Sequence, residues 1–358
     1  SLYLFLVGIA GMSSAIKRMG SEFAETVLTT TSDPFIALFI GIFATVLFQS
    51  SSTTTSLVVG MVAAGTFGSD PKLAVAAAVP YIMGANIGTS ITNTIVSLGH
   101  IVNKEEFKRA FSASVVHDFF NILAVIVIFP LELAFGIISK FAMMLSTILV
   151  GGGGGTFTSP IKLITKPTVK WIENLFQQQA IIEPSVLLLI VALGALFFSL
   201  RNLTKLIKSL VMFRLQAFFD THIFKTTIRA VLFGVLITIL VQSSSITTSL
   251  VIPLAGAGIL NLRQIFPYTL GANIGTTITS LLASMVSGTI APLAVALSHL
   301  TFNILGIGLL YPIKAIREIP IRLAEWFSDL ATRNKIYPLL YILIVFFLIP
   351  LSLISLVR

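Results

Sequence analysis

The chain has 358 residues, of which 56% are hydrophobic and 10% charged, with a formal net charge of +9. An ordinary soluble domain carries about 25% charged residues, so a water-soluble fold of this size would lack surface charge, and recurring apolar runs near the roughly 20 residues needed to cross hydrocarbon put the chain in a bilayer. The basic residues are spread over loops with no aromatic-basic stripe, which speaks against a nucleic-acid partner and for loop lysines on the inner side of a membrane; the absence of cysteine excludes disulfides, thiolate metal sites and cysteine nucleophiles.

In chain order, Ser1 opens directly into an apolar stretch, Leu2 to Met12, so the numbering is expected to begin inside a longer chain, and no cleavable signal peptide is read there. Asp33 precedes an apolar segment, Phe35 to Phe48, which runs into eight consecutive polar residues: Gln49, Ser50, Ser51, Ser52, Thr53, Thr54, Thr55 and Ser56. Eight unpaired polar side chains in lipid are costly, and clustered Ser and Thr weaken a helix by bonding neighbouring backbone. A helix break or re-entrant turn, facing protein or a wet cavity, is predicted here.

The next segment, Pro80 to Thr92, combines Gly84, Asn86, Gly88, Thr89, Ser90 and Thr92. Glycine permits close helix packing through Gly-xxx-Gly, or a backbone opening whose oxygens suit a hard cation such as sodium. The Asn and the Thr residues favour coordination. Asp118 then lies nine residues beyond Arg109, about 13 Å along a helix, in an otherwise apolar run. An intramembrane carboxylate marks a functional site, as a sodium ligand first, then a proton carrier, then a structural partner of a basic residue. His117 and His299 are expected to be interfacial or hydrogen-bonded packing residues rather than metal ligands.

Three blocks recur in the same order. Gly41 to Ser56 matches Gly234 to Ser249, 193 positions on; Pro80 to Thr92 matches Pro267 to Thr279, 187 on; His117 to Leu123 matches His299 to Leu305, 182 on. The chain is therefore read as a first transport repeat (1–140), a Gly-containing external connection (141–183) expected to be flexible, a second repeat (184–316), and an amphipathic connection with a C-terminal membrane helix (317–358). Lys104, Lys108 and Arg109 precede the first His block and nothing charged precedes its copy, whereas Lys225 and Arg229 precede the second Gln-Ser-Ser-Ser segment and Asp33 the first. Both contrasts predict repeats of inverted topology, with Lys104 to Arg109, Arg201, Lys205, Lys208, Lys314, Arg317 and Arg322 inside and Lys17 and Arg18 as the exception.

The fold class is thus an all-α polytopic membrane protein with two inverted-topology repeats and broken or re-entrant helices, a transporter architecture with a midplane site. For one Ser-Thr patch, close helix packing would be the better reading. Duplication at matched positions, with Gln242, Ser243, Ser244 and Ser245 repeating Gln49 to Ser52, reverses that. The two turns would meet near the midplane and offer hydroxyls, amides and helix N-termini to an anion.

Together the paired QSSS elements, GANIGTSITNTIVSL at Gly84 to Leu98, the EFKRAF to VVHDFFN run at Glu106 to Asn121, and SPIKLITKP at Ser159 to Pro167 resemble the type II sodium-phosphate cotransporter family. The resemblance implies a non-enzymatic secondary transporter in the plasma membrane that couples inward sodium movement to uptake of inorganic phosphate by alternating access. It implies phosphate held between the two QSSS turns, with Ser50 to Ser52, Thr53 and Ser243 to Ser245 contacting phosphate or a nearby sodium and Gln49 and Gln242 orienting the turns. It further implies sodium near Asn86, Thr89, Ser90, Thr92, Asp118, Asn121, Asn273, Thr276, Thr277 and Asn303, with Asp118 adding a sodium and net charge movement. No cofactor is implied beyond sodium as coupling ion, and the partners are phosphate, sodium and the lipid bilayer; the oligomeric state stays open, a homodimer being one option. Members with a large external loop usually carry cysteines there, and this chain has none.

Other readings stay open on the residues alone: sulfate or a small carboxylate as the anion, a passive channel, or an intramembrane serine hydrolase. The hydrolase needs a Ser-His-Asp relay. His117 and Asp118 are adjacent and point about 100° apart on a helix, which suits it badly.

Overall fold

The computed structural model describes residues 2–18, 33–150, 160–177, 183–195, 198–199 and 224–355, and their regular structure is helical throughout. In chain order the helices are α1 (Leu2–Arg18), α2 (Pro34–Phe48), α3 (Ser51–Ala64), α4 (Pro71–Gly88), α5 (Ile91–Ser97), α6 (Lys104–Phe135), α7 (Ile137–Val150) and α8 (Pro160–Gln177). There follow α9 (Pro184–Ala195), α10 (Thr227–Val241), α11 (Ser244–Gly256), α12 (Leu262–Ser287), α13 (Ile290–Leu310), α14 (Lys314–Arg333) and α15 (Ile336–Ser355). Pro71–His100, Lys104–Phe135, Ile290–Leu310 and Ile336–Ser355 are long and apolar enough to cross a membrane. The chain is an all-α membrane protein.

Short polar residues set the helix starts. Asp33 accepts from the Phe35 amide at 2.7 Å ahead of Pro34, Asp70 accepts from Lys72 at 2.7 Å ahead of Pro71, and Asn261 forms a capping box with Gln264. Each cap satisfies an amide that the first helical turn leaves without a partner, and proline at the first position loses nothing there.

The tightest helix pairs are α2 with α4 and α10 with α12, and they occupy equivalent places in the two repeats. Glycine makes both possible. A methyl group added at Gly84 would lie 2.0 Å from the Leu38 carbonyl oxygen, and one at Gly271 would lie 2.0 Å from that of Val231. Gly41 and Gly234 face Tyr81 and Tyr268 backbone in the same way, at 2.3 and 2.2 Å. The expectation that these glycines open the backbone to free carbonyls is therefore corrected. The helix runs through Gly88 in one repeat and unbroken from Leu262 to Ser287 in the other, so the glycines remove side-chain bulk where two backbones touch.

At the end of α6 the chain turns sharply. Gly136, in the left-handed region with φ 62°, ends α6, and the Glu132 carboxylate accepts from the amides of Ile138 at 2.6 Å and Ser139 at 3.2 Å. The chain thus turns at Gly136 and continues as α7 to Val150, so residues 141–150 belong to a helix begun earlier. Residues 160–177 are helical too rather than open connection: Ile161, Ile164, Ile172 and Leu175 recur at helical spacing, and Tyr3 and Ser14 of α1 hydrogen-bond to Thr168 and Glu173 of α8. Gly151 to Gly155, Arg201, Lys205 and Lys208 lie outside the described residues.

One end of the molecule gathers charge. Amphipathic α14 lies along α6, with Phe327 against Phe111 and Phe119, Lys108 paired to Asp329, and Arg263 holding Glu318 at 2.8 Å. The Arg263 guanidinium keeps the Glu318 carboxyl below the ordinary carboxylate range. Arg109 crosses between repeats and donates twice to the carbonyl of Gly256, at 2.9 and 2.7 Å. That carbonyl lies at the C-terminal end of α11, where a cation is favoured.

Candidate functional site

The polar tracts form two helical hairpins. Within α2 and α3, the Thr45 hydroxyl donates to the Thr54 hydroxyl at 2.9 Å. Nine residues along a continuous helix would separate them by about 13.5 Å, so the chain reverses between α2 and α3. The arms have 15 and 14 residues, each short of the roughly 20 needed to cross hydrocarbon. The break itself is at Gln49 (φ 52°), and its copy is at Gln242 (φ 55°); among the described residues these are the two non-glycine positions with positive φ. An L residue in that conformation costs about 1–2 kcal/mol, and such strain persists where surrounding bonds hold it.

Those bonds are duplicated as well. Gln49 Nε2 donates to the Val46 carbonyl at 2.7 Å and Gln242 Nε2 to that of Ile239 at 2.8 Å. On the other side of each amide, Gln49 Oε1 accepts from Thr92 at 2.9 Å and Gln242 Oε1 from Thr279 at 2.8 Å. The following serine is extended in both copies and caps the next helix: Ser50 Oγ accepts from the Thr53 amide, Ser243 Oγ from the Ile246 amide. Each tip thus presents the start of a helix. Ser51, Ser52 and Ser244 are no more than 4% exposed, and their hydroxyls have no hydrogen-bond partner among the described residues.

The repeats exchange contacts at these tips. Thr248 donates to Asn93 Oδ1 at 2.9 Å, and Ser280 donates to Thr55 at 3.0 Å. Thr55 matches Thr248 and Asn93 matches Ser280 in the internal alignment, so equivalent positions of the two repeats pair with each other in both bonds. Ser249 adds a second bond to Asn93 at 3.0 Å, and Ser245 reaches the Thr89 carbonyl at 3.3 Å. All six side chains named here except the partly buried Ser249 are buried.

A polar chain crosses the core beside the tips. Asn121 donates to the Asn86 carbonyl at 2.8 Å, and its copy Asn303 points at the Asn273 carbonyl at 3.4 Å. Asn273 also donates to Asn121 Oδ1 at 2.9 Å and meets His117 Nε2 at 2.7 Å, which ties the two repeats. Asn86, Thr89, Ser90, Thr276 and Thr277 each donate back to a carbonyl of their own helix, which turns the remaining lone pairs outward as acceptors. Asp118, fully buried, lies beside Ser90 of this chain and accepts from Tyr341 of α15 at 3.0 Å through Oδ2.

Several predicted site residues are thus brought together and some are not. Asn86, Asn121, Asn273 and Asn303 form one neighbourhood, Gln49 and Gln242 hold the tips, and Thr53 bonds back to Ser50. Thr92 supports Gln49 instead of joining Asn86, and Asp118 and Asn121, one turn apart, bond in different directions. His117 is hydrogen-bonded inside the core and not interfacial. Sequence reasoning missed Asn93, Ser280 and Tyr341. Asn93 and Ser280 sit one residue beyond the matched Thr-x-x-Thr stretch and differ in type, while nothing local marks Tyr341. The hydrolase alternative is overturned: His117 faces Asn273, Asp118 faces Tyr341, and the Ser280–His299 pair has no carboxylate behind it, since His299 Nε2 lacks a partner among the described residues.

In this helical membrane protein, duplicated broken hairpins meet over buried oxygen-rich residues. A family model described as Na+/Pi-cotransporter matches residues 4–151 and 189–327, and the chain belongs to that family. Sodium-dependent phosphate transport protein 2B of Homo sapiens is 32% identical over 443 aligned positions, covering 98% of this chain and 63% of that protein. The 2B protein of Pongo abelii is similar to the same degree, and the 2A protein of Rattus norvegicus is 32% identical over 98% of this chain and 65% of its own length. The chain therefore spans about 63–65% of the length of these relatives. No solved structure matches.

Proposed function

We propose that this chain couples inward sodium movement to uptake of inorganic phosphate, holding phosphate between the Gln49–Thr53 and Gln242–Ser245 tips. The observation that carries the reading is the pair of strained glutamine breaks, each opening a helix start beside buried serine hydroxyls and joined across the repeats. Such a pair offers hydroxyl donors and helix N-termini to an anion from two sides. Neither hairpin contains Lys or Arg between Gln49 and Ala64 or between Gln242 and Gly256, so the negative charge of phosphate has no fixed cation beside it there. Sodium supplies that charge. The outward lone pairs around Asn86, Thr89, Ser90, Asn121, Asn273, Thr276, Thr277 and Asn303 give neutral oxygen ligands, and Asp118 gives the charged one.

Alternating access follows in this reading from movement of one inverted repeat against the other, with the cross-repeat bonds at the tips breaking and reforming. The test is reconstitution in vesicles with labelled phosphate. Accumulation is expected under an inward sodium gradient and not when choline replaces sodium; equal uptake in choline overturns sodium coupling. Unlabelled sulfate that competes as well as unlabelled phosphate would overturn the choice of anion.

A further inference from the structure

A second site stands away from the hairpin tips, between the start of α4, the end of α6 and α7. A groove of about 900 Å³ opens there, within the ~300–1,000 Å³ range of ligand sites. Its floor is kept low by small residues, Ala76 and Ala77 on α4 and Ala134 at the end of α6, with Met143 and Met144 along α7. Lys72, second residue of α4, and Lys140, one turn into α7, line the same groove.

The charge balance of this groove is uneven. Its carboxylate, Glu132, is buried and engaged by the amides of Ile138 and Ser139 that start α7. Lys72 and Lys140 are both exposed, and neither has an acidic partner among the described residues. Both lie where membrane-crossing helices begin or end, at the depth of lipid headgroups. Two unpaired ammonium groups at the head of an apolar channel match an amphiphile with an anionic head and a hydrocarbon tail.

We propose that this groove binds an anionic phospholipid, its phosphate between Lys72 and Lys140 and an acyl chain over Ala76, Ala77 and Met143. Basic residues near a membrane surface contribute roughly 1 kcal/mol each toward anionic lipid, so two of them favour it over a zwitterionic lipid by more than tenfold. The methionines adapt to a mobile chain because their side chains are unbranched and flexible.

Native mass spectrometry of the detergent-solubilised full chain tests this with dioleoyl phosphatidylglycerol and dioleoyl phosphatidylcholine. Wild type should retain phosphatidylglycerol at least tenfold better, Lys72→Gln with Lys140→Gln should retain both lipids equally, and Ala77→Phe should lower retention of both by obstructing the channel. Both variants change exposed or partly exposed positions, so folding is checked by unchanged elution on size exclusion. Equal retention of the two lipids by wild type, or preference surviving in the double lysine variant, overturns the proposal. Displacement of phosphatidylglycerol by millimolar inorganic phosphate would also overturn it, since the groove would then hold a free anion.

Discussion

Thr248 of the second repeat donates its hydroxyl to Asn93 of the first at 2.9 Å, and Ser280 of the second repeat donates to Thr55 of the first at 3.0 Å. This reciprocal pair fastens each hairpin to the opposite repeat. A net buried hydrogen bond contributes about 1 kcal/mol, while stranding its partner costs ~1–3 kcal/mol. Thr248→Val should therefore lower sodium-driven phosphate uptake about fivefold, and Asn93→Leu, which removes the acceptor that Thr248 and Ser249 share while each keeps a carbonyl of its own helix, by a similar factor. Uptake per surface-expressed molecule is the measurement. Wild-type flux in Asn93→Leu would remove the latch from the transport cycle.

The strained glutamines give a separable test. Glycine adopts the left-handed conformation freely, so Gln49→Gly keeps the turn while deleting the amide that bridges Val46 and Thr92. The expected variant folds with a melting temperature close to wild type and loses most phosphate uptake. Gln242→Gly should behave alike through Ile239 and Thr279. If either glycine variant transported normally, the side chains would serve only the turn.

Packing variants should fail for a different reason. Gly84→Leu and Gly271→Leu drive a side chain into backbone 2.0 Å from the added carbon, which neither helix can move aside without parting α2 from α4 or α10 from α12. Overpacking typically costs ~1–3 kcal/mol, and contact with main chain puts these at the high end or above. Fluorescence-detected size exclusion should show aggregation. By contrast Gly65→Asn, at a helix end with open space around it and φ 84°, should be tolerated.

In the proposed cotransport, Asp118 contributes to the stoichiometry. Asp118→Gly should reduce the charge carried per phosphate by about one elementary charge while sparing part of the uptake, read as current and labelled flux on the same cells. Tyr341→Phe removes one hydrogen bond to Oδ2 but leaves the charge, so it should change apparent sodium affinity by roughly fivefold at constant stoichiometry. An unchanged charge per phosphate in Asp118→Gly would end its role in coupling.

Arg109 probes the charged end. Its two bonds to the Gly256 carbonyl join α6 to the end of α11, and Gly256 also packs against the His100 ring, 3.1 Å from where a methyl group would stand. Arg109→Gln retains polarity but loses the paired geometry and the cation at a helix C-terminus, worth ~0.3–1 kcal/mol from the dipole alone. A small fall in thermal stability with a larger change in turnover is expected. Equal turnover would make the contact structural only.

Local chemistry explains what the order of residues by itself determined. Apolar runs of span length and the tract of hydroxyls that ends α2 act within a few residues, so membrane class and the two breaks are readable from spacing. The duplication is likewise a property of the string, and with it the pairing of Gln49 with Gln242. The Gly-xxx-Gly segments were ambiguous because the same glycines serve close packing or open backbone, and only the position of Leu38 and Val231 opposite them chooses packing. The helix over 160–177 was hidden by its prolines and lysines, and its packing partners, α1 and α12, are remote in sequence.

Contacts between distant residues were decided by tertiary structure alone. Thr55 meets Ser280 across 225 positions, and Tyr341 reaches Asp118 across 223. No local periodicity encodes such distances, since each bond depends on how several helices cross. The repeat told which residues are equivalent; the fold told that equivalents bind one another's partners, and that Asp118 faces the last helix instead of the asparagines one turn away.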